Sequence, residues 1–191
     1  MTAYFKDIIH TFFDMYTWNI AVLIIVLILI SVLYLVLKQK MTDKKTVNAV
    51  FLISFAVYFA LIIYITLVDR NSSLENTGLS LIPFYSYYRF FFFSDTEIML
   101  QAVMNIAFFY PFGFFLSGLD FKFLRKRKWL IVVFAFLFSL SIEVLQYIFS
   151  LGYAEVDDVI HNTSGAVIGI LVLPALEKLL NKIIKHFKSK T

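Results

Sequence analysis

Residues 18–37 read WNIAVLIIVLILISVLYLVL, a run of twenty positions without one charge. An α-helix rises about 1.5 Å per residue, so about 20 apolar residues cross the roughly 30 Å hydrocarbon layer of a bilayer. This run is long enough to span a membrane. Residues 47–68, VNAVFLISFAVYFALIIYITLV, repeat the pattern after a basic linker holding Lys38, Lys40, Lys44 and Lys45. Three further stretches, 98–119, 129–151 and about 159–180, are as long but carry embedded polar residues. The chain is expected to fold as an all-α, polytopic membrane bundle of about five spans.

Composition agrees with a bilayer. Of 191 residues 61% are hydrophobic, mean hydropathy is +0.83, and 23 phenylalanines stand against three prolines and six glycines. That balance lies outside the soluble range and leaves no segment resembling a linker, a low-complexity tract or a second domain. Cysteine is absent, which excludes disulfides, thiolate nucleophiles and thiolate metal sites.

The net charge of +4 does not call for nucleic acid, because its distribution has a membrane explanation. Fourteen of the seventeen Lys and Arg residues fall in three clusters: the linker above, Lys122 to Lys128, and the tail from Lys178 to Lys190. Cytoplasmic segments retain Lys and Arg, so these clusters are expected inside. The complementary segments hold only Lys6, Arg70 and Arg89, together with nine of the thirteen acids. They are expected outside. Five spans with the N-terminus out and the C-terminus in satisfy this alternation.

The opening residues lack the basic start and cleavage site of a signal peptide. Phe5, Ile8, Ile9, Phe12, Phe13 and Tyr16 recur at helical spacing opposite Lys6, Asp7, His10 and Asp14. Residues 1–17 are read as an amphipathic helix on the outer surface or as a plain extension of the first span.

Ionisable groups inside spans are costly, so each is a candidate site. Glu143 lies fourteen residues after Trp129, about 21 Å along its helix and hence in the outer third of the bilayer. Ser139, Glu143, Gln146 and Ser150 share one face, which should point into the bundle. Asp158 and Asn162 form a stripe at the outer end of the last span, and Asn105 lies at similar depth in the third. Three helices thus bring carboxylates and amides to one layer. Two readings are open: chemistry or ligand binding centred on Glu143 with Asp158, or hydrogen-bonding glue between helices. Gly165 and Gly169 continue the Asn162 face and should let that helix approach a neighbour closely. His161 with Asp157 four residues earlier reads as a surface pair at a helix start, and no metal site is expected.

The outer loop from Asp69 to Glu97 carries Leu81-Ile82-Pro83-Phe84 and then a run rich in Tyr and Phe around Arg89. Such a run either anchors at headgroup depth or folds back as a flap over Glu143, with Arg70 or Arg89 facing an anion; the two are compatible.

These motifs resemble the VanZ-like family. Ser139-Leu-Ser-Ile-Glu143-Val-Leu-Gln146, followed by Asp157-Asp158 and Asn162-Thr-Ser-Gly165-x-x-x-Gly169, looks like the family's signature. Leu81-Ile82-Pro83-Phe84 resembles its loop motif, and Asn105 with Pro111-x-Gly113 its next helix. Ser80 stands where the loop motif usually has asparagine, and Gly152, Tyr153 and Ala154 where many members place an arginine. The resemblance covers about residues 60–175, so the chain divides into 1–17, the additional segment 18–58, a VanZ-like domain over 59–176 and a basic tail over 177–191. It implies a bacterial plasma-membrane protein linked to tolerance of lipid-tailed glycopeptides of the teicoplanin type.

Three functions follow as expectations. The first is a resistance protein whose outer-leaflet pocket engages a membrane lipid, a lipid-linked cell-wall precursor or the lipoglycopeptide itself. Glu143, Asp158, Asn105, Gln146, Asn162, Arg70, Arg89, Pro83 and Phe84 are its candidate residues. The second is an intramembrane enzyme acting on an envelope lipid, with Glu143 as general acid or base and Asp158 beside it. The third is a non-catalytic structural or partner-binding subunit. No phosphate loop or nucleophile elbow is present, and no cofactor is expected.

Overall fold

The computed structural model describes residues 43–68 and 78–188, together with Leu33, Tyr34 and Val36. The surface helix of 1–17, most of the span at 18–37, and Arg70 lie outside the described residues. Leu33, Tyr34 and Val36 are helical, and the buried Tyr34 ring packs edge-on against Phe51 and Phe114 at centroid distances of 4.0 and 5.4 Å.

Four described helices are long and apolar enough to cross a membrane, at 44–68, 96–118, 129–148 and 156–183. Helix α1 (Lys44–Ile63) starts where Asp43 accepts hydrogen bonds from the Lys45 and Thr46 amides at 3.2 and 3.0 Å. The Thr46 hydroxyl adds a third at 2.6 Å, and these bonds hold the Asp43 carboxyl below its usual range. The helix widens into a π turn over Tyr64–Val68, which re-aims backbone carbonyls and is a common device at functional positions. A loop strand β1 (Gly78–Ser80) and a short helix α2 (Tyr85–Phe93) precede α3 (Thr96–Gly118). Asp95 caps α3 by accepting from the Ile98 amide at 3.2 Å. A basic turn of helix, α4 (Lys122–Lys126), leads to α5 (Trp129–Ile148), strand β2 (Tyr153–Glu155) and the long α6 (Val156–Lys188).

The expected helical bundle therefore has one addition. Strands β1 and β2 pair in parallel, with Gly78 opposite Tyr153 and Ser80 opposite Glu155. This ties the loop before α2 to the α5–α6 connection.

Helices α3 and α6 are the closest pair because their contact is backbone on backbone. A Cβ at Gly113 would strike the Ala166 carbonyl, one at Gly165 the Ile106 carbonyl, and one at Gly169 the Tyr110 carbonyl. Small residues substitute here for the hydrophobic drive that lipid cannot supply. Around this seam sits an aromatic core in which Phe109, Phe112 and Phe138 lie within 5.9 Å centroid to centroid. Ile53, Val57, Leu61 and Leu171 instead face outward, the inversion expected of helices surrounded by acyl chains.

Candidate functional site

Three spans and the π turn converge on one polar cavity of about 30 Å³. Its polar lining is Thr66, Asn105, Glu143, Gln146, Asp158 and Asn162, framed by Phe108, Phe109 and Ile142. Five of these six are residues that sequence spacing assigned to a common layer. The sixth, Thr66, contributes through the π turn, whose carbonyl accepts the Gln146 side-chain amide at 3.1 Å. Asn162 donates to the fully buried Ser139 hydroxyl at 2.8 Å. Glu143 is only 6% exposed, and one of its oxygens accepts the Glu155 amide of β2 at 3.0 Å. A space of this size holds about one water or one small polar group. Ser150 does not join this face, because α5 ends before it and its φ is +56°.

On the other flank of Glu143 lies an apolar groove of about 330 Å³, walled by Leu79, Leu81, Leu140, Val144, Tyr147 and Val159 among others. Among the described residues Glu143 is the one that lines both spaces. The groove shares Phe136, Val156 and Val159 with a second apolar hollow of about 450 Å³ between α5 and α6, which reaches Ile168. From Val156 to Ile168 this surface runs about 18 Å along α6. Apart from Glu143, Tyr147, Glu155, Thr163 and Ser164, its lining is apolar.

The loop is held over this region by Asp157. Its Oδ1 accepts the Phe84 amide at 2.5 Å, and its Oδ2 accepts the Ser86 amide and hydroxyl at 2.7 and 2.6 Å. Phe84 occupies the cap position of α2 with a φ of +63° and offers no side-chain acceptor, so a carboxylate 73 residues away supplies the cap. His161 meets the Tyr87 hydroxyl at 3.2 Å through Nε2. The expectation of a surface Asp157–His161 pair is thus corrected: both are 2% exposed, and each is engaged by the loop. Sequence reasoning missed this clamp because an acid at the start of its own helix already has a local explanation.

Arg89 pairs with Asp95 at 2.6 Å, and the hydrogen bond with Tyr85, followed by this pairing with Asp95, raises the guanidinium pKa further. Arg89, Pro83 and Phe84 line neither the polar cavity nor the groove; Pro83 and Phe84 are exposed on the loop. Their expected place beside Glu143 is corrected accordingly, since the ion pair to Asp95 draws Arg89 toward the start of α3. Glu155, just outside the spans, has its carboxyl pushed up by burial and by the Asp157 charge, against a smaller opposing effect from Arg89.

Residues 55–177 match the family described as VanZ/LLP1. The chain belongs to that family. The cavity, the groove and the Asp157 clamp all fall inside the matched VanZ/LLP1 region. A curated relative, Protein VanZ of Enterococcus faecium, is 32% identical over 93 residues, covering 47% of this chain and 54% of the relative. The chain thus spans about half the length of the curated relative it matches. No solved structure matches it.

Proposed function

We propose that this VanZ/LLP1 chain lowers susceptibility to lipoglycopeptide antibiotics of the teicoplanin type by engaging a lipid-tailed molecule at the outer leaflet. The observation that carries the reading is the position of Glu143 between a polar cavity and an apolar groove. A hydrocarbon tail lies along Leu140, Val144 and Val159. A hydroxyl or amide of its headgroup reaches the layer of Glu143, Asp158 and Asn162, after β2 or the α2 loop shifts to admit it. Each buried CH₂ contributes about 0.8 kcal/mol where it leaves water, but far less where it leaves lipid, so selectivity falls to the polar end. The ligand is a membrane lipid, a lipid-linked cell-wall precursor or the antibiotic itself. The charge distribution supports the outer-leaflet placement, since it favours an orientation with the clusters around Lys122–Lys128 and the tail inside.

The test is expression of Glu143→Gln, Asp158→Asn and the groove-filling Val144→Trp in a sensitive host at matched membrane levels. Each is expected to lose tolerance, and wild-type tolerance in all three would remove the site from the account. If instead the variants accumulate poorly, the polar residues serve helix association.

A second reading is favoured by the one-water size of a cavity flanked by Glu143 and Asp158: an intramembrane hydrolase in which one carboxylate takes the proton of a water. It expects a lipid species that appears or disappears with expression, read by mass spectrometry of the membrane.

A further inference from the structure

A second cleft, of about 380 Å³, opens at the other end of the bundle, about 21 Å along α5 from Glu143. Its charged and polar lining is Lys44, Ser117, Asp120, Arg125, Lys128 and Glu177. We propose that this cleft binds a phosphate oxyanion, and that the phosphate is the headgroup of an anionic phospholipid.

The depth is right for a headgroup. Lys44 opens the span of α1, Gly118 closes that of α3, and Trp129 opens that of α5, so the cleft sits where hydrocarbon gives way to the polar layer. Leu173 and Pro174 give it an apolar wall on the bundle side for the glycerol and first tail carbons.

The charge is right as well. Three cations face two acids, Asp120 and Glu177, and both acids are already engaged within the protein. Asp120 holds Lys44 at 3.1 Å and Arg125 at 3.4 Å, while its own amide donates to Asn48 Oδ1 at 2.8 Å. Asp120 thereby fixes two cations at the rim and uses few of their donors, since a guanidinium carries five N–H groups. Lys128 is half-buried and its ammonium has no ion pair or hydrogen bond among the described residues. An ammonium with three N–H donors and no protein partner among the described residues is open to an anionic acceptor. Lys122, Lys126 and Arg127 lie exposed in the same basic stretch and add to its positive charge. A metal cation would meet this same excess of positive charge. Basic clefts between spans at a membrane surface are suited to phosphate headgroups for these reasons.

The full-length chain in neutral detergent, titrated with phosphatidylglycerol, phosphatidylcholine or inorganic phosphate and read by native mass spectrometry, tests the site. Phosphatidylglycerol is expected to be retained about thirtyfold better than phosphatidylcholine, the preference two nearby cations give an anionic headgroup. The double variant Arg125→Gln with Lys128→Gln should lose that preference. Lys182→Gln with Lys185→Gln, in the tail beyond the cleft, should keep it. Displacement of the lipid by millimolar inorganic phosphate overturns the headgroup assignment in favour of a soluble anion. Equal retention of the two lipids by the wild type, or unchanged preference in the Arg125 and Lys128 double variant, overturns the site. Unaltered melting of that double variant guards against a folding artefact.

Discussion

Replacing Asp157 by alanine removes three hydrogen bonds at once from the loop helix α2. Both partners are buried, with Asp157 and Ser86 each 2% exposed, so water does not replace the lost acceptor while the loop stays docked. A hydrogen bond to a charged group is worth about 1.5–3 kcal/mol, but three on one carboxylate share its charge and do not add. A total of about 3 kcal/mol is therefore expected, which is about a hundredfold in the opening equilibrium. The assay is amide hydrogen exchange at Phe84 and Ser86, with the interior of α5 as an internal standard. Asp157→Asn gives a sharper test. Its single carbonyl oxygen can keep both Ser86 bonds only by turning its NH₂ toward the Phe84 amide, donor against donor. Exchange should then accelerate more at Phe84 than at Ser86. An Asp157→Ala chain whose Ser86 amide exchanges within about threefold of wild type would refute the clamp.

Gly113→Ala places a methyl against the Ala166 backbone carbonyl, which cannot step aside as a side-chain tip can; overpacking of this kind costs about 1–3 kcal/mol and should lower the melting temperature in detergent. Gly78→Ala meets only the Tyr153 ring, which is 54% exposed and free to rotate away, and should melt close to wild type. Glu155 has a raised carboxyl pKa in the folded chain, so the folded state binds its proton more tightly than the unfolded one. Its contribution is present at low pH and is lost as pH rises from the usual glutamate value through the raised one. Thermal melts across that window should fall for the wild type and flatten for Glu155→Gln; parallel curves would contradict the assignment.

The spans were legible because a bilayer imposes length and excludes charge, and both can be counted along the chain. The polar layer was legible for a related reason. Glu143, Gln146 and Asn162 cannot face hydrocarbon, so their spacing on two helices predicted a shared interior, and the cavity contains them with Asn105 and Asp158. The loop was not legible. Helix α2 carries no local start signal, since Phe84 stands where Ser or Asp would cap, and its acceptor arrives from Asp157. The β1–β2 pairing involves three residues on each side, too few for an alternating pattern to register. Both features depend on contacts more than 70 residues apart in the chain, which no local window contains.

That remote stretch also explains why loop and cavity should behave as one unit. Within six residues, β2 pairs with β1, the Glu155 amide binds Glu143, Asp157 caps α2, and Asp158 lines the polar cavity. A tail entering the groove would press on Val156 and Val159 of the same segment. Displacing this segment by one hydrogen-bond length therefore breaks the Glu155–Glu143 bond and loosens the cap on α2 together. Under the proposed function an occupied groove would act on the exposed aromatic loop through this segment, in which the acidic pair at positions 157 and 158 divides the work, the first acid holding the loop and the second facing the cavity.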